Sequence, residues 1–461
     1  MISELLHRPL VSVIVTLILG ILFKEQPATI LAFFGILYLT MSVKSAIWIP
    51  CFGFLIGVVI PTPNVIPITK ETFFNGSVQI RTIPKKTKFG IQATVLHKNK
   101  SYLLYDTKKN KYALGDQLSV IGKLKPFSHN SAQYWTAKGV SGIIKPLKPV
   151  IIIRKGHSIW TFCQNCHTSF VQFSNKFLHH STAPLINAIT INERSFLDSQ
   201  TKVALVKSGT LHIVSTSGLH VIILAGMLIM ALSLLPIPRS IALVVLALLL
   251  FIYASISGMN PPAIRATIMA TIIGLAYIFK RESDSLSALA FVGIIYLVWK
   301  PLIIYDVGFQ LSFVCTAFLI LFGQSSRYVI PKTSLQYILM TAYQILRAST
   351  VAIIASAPLI AYHFGTLSTL SILANILILP LLPLILLATF LGWVFSFISP
   401  TVSIGLAKAV IDPLAGWILL VLNRISNITF SNLQIPTLAG IVVLFFYIAF
   451  IMLWRPHVRQ A

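Results

Sequence analysis

Long apolar runs separated by short polar breaks dominate the second half of the chain. They lie near residues 211–235, 239–258, 262–279, 285–300, 302–323, 338–363, 370–398 and 436–454, with a weaker one at 403–423. Three more open the chain, near 9–23, 27–43 and 45–62. A helix needs roughly 20 apolar residues to cross about 30 Å of hydrocarbon. The pattern therefore predicts a polytopic α-helical membrane protein with about ten or eleven spans. Residues 2–23 lack a small-residue cleavage site and lead straight into a second run, so they read as a retained first helix.

Between these blocks the period changes. Val78-Gln-Ile-Arg-Thr-Ile83 and Ile91-Gln-Ala-Thr-Val-Leu96 alternate, and two further strand-like stretches, at 101–105 and 118–124, follow with tight turns between. Four or five short strands over about 75 residues suggest a small, OB-like β-barrel. Past His157 the period becomes helical: Ile159, Phe162, Cys163, Cys166, Phe170, Phe173 and Phe177 share one stripe. An aromatic stripe on an otherwise polar helix predicts an amphipathic helix lying in the membrane surface. The expected domains are N-terminal spans at 1–63, the basic barrel at 64–155, the surface helix at 156–183, and one polytopic bundle at 184–461.

Composition agrees with the pattern and adds charge. The 461 residues are 56% hydrophobic and 10% charged, with mean hydropathy +0.85, which excludes an ordinary soluble protein. The net charge is +25. Residues 64–155 hold 17 Lys or Arg against three acids, a net of +14, so over half of the excess lies in the barrel segment. A basic surface carrying aromatics suits single-stranded nucleic acid: Lys85, Lys86, Lys88, Lys98, Lys100, Lys108, Lys109 and Lys111 for phosphates, with Tyr102, Tyr105 or Tyr112 for base stacking. Counted naively, the charge would keep the barrel in the cytoplasm, yet long domains translocate regardless of it. With Arg8 inside and three early spans, the barrel lands outside.

Cys163-Gln-Asn-Cys166-His167 matches the C-x-x-C-H haem-attachment spacing. Both thiols lie on the apolar stripe and no methionine nearby offers an axial ligand, so chance or a redox pair are the competing explanations. No cofactor or metal is expected.

Polar groups inside spans are costly and usually face a protein interior or a water-filled path. Val214-Ser-Thr-Ser-Gly-Leu-His220 places Ser215, Thr216, Ser217, Gly218 and His220 at the mouth of an apolar run. Helical spacing puts the hydroxyls and the imidazole on one face, although a capped helix start would look the same. Ser257-Gly-Met-Asn-Pro-Pro-Ala-Ile-Arg265 allows a helix to end at Gly258 and another to start at Pro261 or Pro262, with Arg265 in its first turn. An ordinary loop with the arginine at the headgroups is the alternative. Asp306, Gln310 and Ser312 precede a further run; Asp306 could pair with Arg265 or cap its own helix. Arg347, His363 and Asn375 interrupt later spans. Together these residues imply a wet, partly cationic interior.

Four stretches resemble the ComEC-type competence proteins, inner-membrane channels for the entry of transforming DNA. They are Ser217-Gly-Leu-His220, the run from Gly258 through Pro261 to Arg265-Ala266, Asp306-Val-Gly-Phe-Gln-Leu-Ser-Phe313, and Phe364-Gly-Thr-Leu-Ser368 with Asn375 downstream. Residues 115–124 resemble the end of the family's OB-type domain, and Asn192-Glu-Arg-Ser195 a segment preceding its channel region. The resemblance implies transport of single-stranded DNA through a multi-span channel, with the barrel outside the cytoplasmic membrane. It implies a separate DNA receptor as a partner. Many members continue into a metallo-β-lactamase-like nuclease domain with a His-x-His-x-Asp-His site. None of the 11 histidines here has His-x-His spacing, so a channel without that hydrolase is expected, and the nuclease, if any, is a separate protein. No G-x-x-x-x-G-K-[ST] loop occurs, which points to a separate cytoplasmic helicase-like ATPase for the pull. The rival readings are a transporter of another anionic polymer or lipid-linked precursor, an intramembrane enzyme using Ser217 and His220, and a basic domain that only contacts anionic headgroups.

Overall fold

The computed structural model describes residues 8–23, 55–56, 58, 68, 70–87, 90–107, 112–128, 132, 135–136, 138–156, 159–282, 284–323, 333–428, 432–435, 442–443 and 446–447. The early runs at 27–43 and 45–62 and the last at 436–454 fall largely outside this set.

Helix α1 spans Pro9–Phe23. Seven strands follow: β1 (Thr72–Ile80), β2 (Lys85–Thr87), β3 (Gly90–His97), β4 (Lys100–Asp106), β5 (Gln117–Lys125), β6 (Val140–Pro146) and β7 (Ile151–Arg154). Five of them close into a ring in the order β1-β3-β4-β6-β5, with β5 returning to β1 and β4 pairing parallel to β6. This is an OB-like barrel, as the alternation predicts. Every second residue turns inward, so Val95, Leu118, Val120 and Ile144 are wholly buried, each contributing about 1.5–3 kcal/mol. The β3–β4 hairpin turns on Lys98 and Asn99, both with positive φ, as a two-residue turn between twisted strands requires.

The rest is helical: α2 (Ile159–Phe177), α3 (Ala183–Ile191), α4 (Ser199–Lys207), α5 (Gly218–Ser233), α6 (Arg239–Ile256), α7 (Pro261–Ile278), α8 (Ser285–Trp299), α9 (Val307–Phe322), α10 (Ser334–Phe364), α11 (Ser371–Ile378), α12 (Leu382–Ile398), α13 (Pro400–Leu406) and α14 (Asp412–Ser426). A short ribbon joins β8 (Thr366–Ser368) to β9 (Asn432–Gln434). Among the described residues, five stretches are long and apolar enough to cross a membrane: α6, α7, Leu339–Phe364 of α10, α11 run on into α12, and α13 run on into α14. α1, α5, α8 and α9 are shorter apolar helices. The weak run at 403–423 thus belongs to a full-length span. These helices turn Ile222, Met230, Val244, Leu248, Phe397 and Ile398 outward, which only a lipid environment makes favourable over so wide a surface.

The aromatic stripe of α2 is partly covered by the bundle, while Phe162 near its start is exposed. Phe170 packs on Phe390 and Trp393 of α12, and the Trp393 indole donates to Ser169 Oγ at 3.2 Å. Cys163, Phe170 and Phe173 are buried. Rings of α2 and α12 meet at tilted angles, a favourable aromatic geometry.

Two polar clips join barrel and bundle. Gln164 of α2 accepts from the Leu114 N–H at 2.6 Å and donates to the Tyr112 carbonyl at 2.9 Å. Lys300, at the end of α8, donates to the Lys138 carbonyl at 2.9 Å.

Candidate functional site

The breaks between the apolar runs converge. Ser217 is extended, at φ −104° and ψ 171°, and stands just before α5. Its N–H and hydroxyl lie 3.4 and 2.9 Å from His220 Nδ1. The N–H can only donate, so Nδ1 accepts and the neutral ring carries its proton on Nε2. That atom is buried with no hydrogen-bond partner. Thr216 is fully buried beside this pair, and Ser215 is half-buried.

α6 ends at Ser257, Gly258 turns at φ 90° and Met259 at φ 54°, and α7 restarts at Pro261 and Pro262 with Asn260 as its N-cap. The interruption read from the sequence is present. Arg265, one turn into α7, is only 6% exposed. Its Nε donates to Ser312 Oγ at 2.9 Å and its Nη1 points at Met269 Sδ at 3.4 Å. A Cβ on Gly218 would come within 2.8 Å of its Nη2. One guanidinium therefore touches the starts of α5, α7 and α9.

Asp306 is not its counter-ion. The carboxylate accepts from the Phe309 N–H at 3.0 Å and caps α9, because the orphan donors of its own helix lie closer than any arginine. No ion pair to Arg265 forms among the described residues. Asp306 interacts electrostatically with Lys300, whose ammonium burial pulls below the usual lysine range while Asp306 works against that shift. Gln310 donates to the Ile304 carbonyl at 2.8 Å and its Oε1 accepts from His363 Nε2 at 2.8 Å. His363, Gln310, Ser312 and Arg265 thus follow one another through direct bonds and the adjoining turn of α9.

Two expected members lie elsewhere. Arg347 donates to the Phe322 carbonyl at 3.1 Å, where it satisfies the C-terminal end of α9. Ser312 and Phe322 are ten residues apart on that helix, about 15 Å. Asn375 is buried in α11 with its side-chain oxygen unpartnered, and no hydrogen bond links it to the Arg265 group.

On the barrel, Lys98 and Lys100 are exposed at the β3–β4 turn, and Tyr105 is half-exposed in register with Gln92. Tyr102 departs from the expectation. It points into the barrel, 8% exposed, beside Phe74 at 6.2 Å between ring centroids, and burial pushes its phenol above the ordinary value. Tyr112 is also buried, its hydroxyl donating to Asp106. Strand alternation hides the Tyr102 ring and the bond to Asp106 draws in that of Tyr112, so neither can stack a base. Lys85 and Lys86 lie on β2; Lys88, Lys108, Lys109 and Lys111 fall outside the described residues. Cys163 and Cys166 are free thiols that burial raises above the usual range.

Asn192-Glu-Arg-Ser195 has a larger part than its sequence suggests. Asn192 adopts φ 58° after α3 and donates to the Ser257 carbonyl at 3.3 Å. Arg194 donates to the Val214 carbonyl at 2.9 Å and to Asn192 Oδ1 at 3.0 Å. The segment ties the carbonyl before one break to the carbonyl before the other. Glu193 faces His167 of α2 at 3.7 Å. The available signal was an asparagine flanked by charges after an apolar helix, a pattern of helix termination.

A family model described as "Competence protein" matches residues 189–460. "ComE operon protein 3" of Bacillus subtilis (strain 168) is 28% identical over 284 residues, 61% of this chain and 35% of that protein. An "Uncharacterized protein" of Aquifex aeolicus (strain VF5) is 33% identical over 126 residues, 27% of this chain and 29% of that one. The matches therefore span about a third of the length of each relative. No solved structure matches the chain. The model covers more than half of the chain, including each of the converging breaks, and the chain belongs to the competence protein family.

Proposed function

We propose that this protein passes single-stranded DNA across the cytoplasmic membrane during DNA uptake. The observation that carries the reading is Arg265: a buried guanidinium, without a carboxylate to neutralise it among the described residues, at the junction of three interrupted helices. A charge buried without a counter-ion is costly, and a passing phosphodiester is an anion that would relieve it. Neutral donors accompany it on the adjoining helices, His220 two residues past Gly218 and the Gln310–His363 pair at the turn of α9 that carries Ser312, and such groups can replace water at phosphate oxygens without gripping them. The barrel would collect the strand outside, with Lys98 and Lys100 on phosphates and the half-exposed Tyr105 ring stacking a base. On this reading the chain is a conduit and not a hydrolase. A DNA receptor, a cytoplasmic ATPase and any nuclease are separate partners.

The test is transformation of a deletion strain complemented with Arg265→Ala or His220→Ala. A lost charge-assisted contact of about 1.5–3 kcal/mol should lower uptake by roughly ten- to a hundredfold at unchanged protein level. Normal uptake by both variants removes the path from this cluster. In parallel, single-stranded DNA should bind the purified full chain with an affinity that falls steeply with salt, and Lys98→Gln with Lys100→Gln should flatten that dependence.

A further inference from the structure

The barrel turns an apolar edge outward. β7 pairs on one side with the first half of β5, through Ser119↔Ile151, Leu118↔Ile152 and Gln117↔Arg154. Its other side meets no strand among the described residues. Ile151 is 65% exposed and Ile153 57%, and Ile152 and Leu147 are exposed as well. An unpaired strand edge bearing three consecutive isoleucines is what soluble barrels blunt with charge or cover.

Two observations indicate what covers it. Residues 145–155 also carry Lys145, Lys148, Arg154 and Lys155, all exposed, and no acid. The strand then runs through Lys155-Gly156 into α2, which packs on the spanning helix α12, and Phe162 near the start of α2 is exposed too. Apolar side chains flanked by cations and joined to a membrane bundle have the chemistry of the headgroup layer of an anionic bilayer.

We propose that the 145–155 edge of the barrel seats in the headgroup layer of the membrane that the bundle spans. Leu147, Ile151 and Ile153 enter the acyl boundary, and Lys148 and Arg154 sit on lipid phosphates. Single-stranded DNA suits this edge poorly, since the segment has no aromatic ring to stack a base. The seat would add a lipid contact to the Gln164 and Lys300 clips in fixing the tilt of the barrel.

The test uses the full chain with its four native cysteines replaced, spin-labelled in turn at positions 151, 153, 107 and 222, in phosphatidylethanolamine–phosphatidylglycerol vesicles. Labels at 151 and 153 should collide preferentially with oxygen, as at lipid-facing position 222, while 107 should favour a water-soluble nickel complex. Lys148→Gln with Arg154→Gln, or purely zwitterionic vesicles, should shift 151 and 153 toward nickel. The unlabelled wild-type chain should be modified within residues 147–153 by a phosphatidylglycerol carrying a photoreactive group at its headgroup. Nickel-favoured labels at 151 and 153 in anionic vesicles with no such modification would overturn the proposal. So would protection that appears only on adding single-stranded DNA, or spin–spin broadening showing that a second copy covers the edge.

Discussion

A Cβ on Gly218 would meet Arg265 Nη2 at 2.8 Å, whereas one on Gly258 would meet nothing within 4 Å. The two glycines are therefore needed for different reasons, space at the first and φ 90° at the second. Gly218→Ala should push the flexible end of Arg265 off Ser312 at little cost to folding, since the next contacts of the added carbon lie at 3.7 Å and beyond. Transformation frequency should fall with it, while membrane levels of the protein stay near normal. Residue identity alone could place Ser217 beside His220, since three residues of helix bring them to one face. It could not place Asp306: opposite sign suggested Arg265, but the orphan N–H groups of α9 are closer to the carboxylate.

Among the elements, the barrel is held by backbone approach as much as by its core. A Cβ on Gly122 would come within 2.2 Å of the Lys145 carbonyl oxygen, where β5 pairs with β6. Gly122→Ala should separate these strands at a cost of about 2 kcal/mol or more, read as faster hydrogen exchange of their shared amides. Glu71 lies between Lys123 and Lys125 at 2.9 and 3.2 Å, and these bonds hold its carboxyl below the usual carboxylate range. A depressed folded pKa means that the contribution is present above the ordinary glutamate range and is lost as pH falls through the lowered value. Protection factors at the ends of β1 and β5, with the intrinsic pH dependence of exchange divided out, should fall on acidification through that range, and Glu71→Gln should remove that fall. Strand period was legible because the ring has one solvated face. Amphipathicity showed that one face of α2 is covered, and only the structure showed that Phe390 and Trp393 of α12 supply part of the cover while Phe162 stays exposed.

For the molecule as a whole, Gln164 and Lys300 set how the barrel sits on the bundle. Gln164→Leu with Lys300→Met should release it. The Leu114 amide, whose hydrogen bond is worth about 1 kcal/mol, should exchange about fivefold faster, and transformation should drop even though no phosphate-facing residue has changed. An unchanged exchange rate would mean that other contacts hold the barrel.

Hydrophobic content and period determined that the chain is a membrane bundle carrying a basic OB-like barrel, because burying apolar faces and pairing the backbone are demands each segment meets locally. Punctuation by Gly, Pro, Ser and Asn likewise announced where helices break. Which breaks meet was decided only by the tertiary structure: Arg265 joins Gly218 and Ser312, His363 joins Gln310, and Arg347 is left at the far end of α9. Those pairings depend on how separate helices cross, and residues 218, 265 and 312 become neighbours only when packing of the whole core selects one arrangement of the bundle.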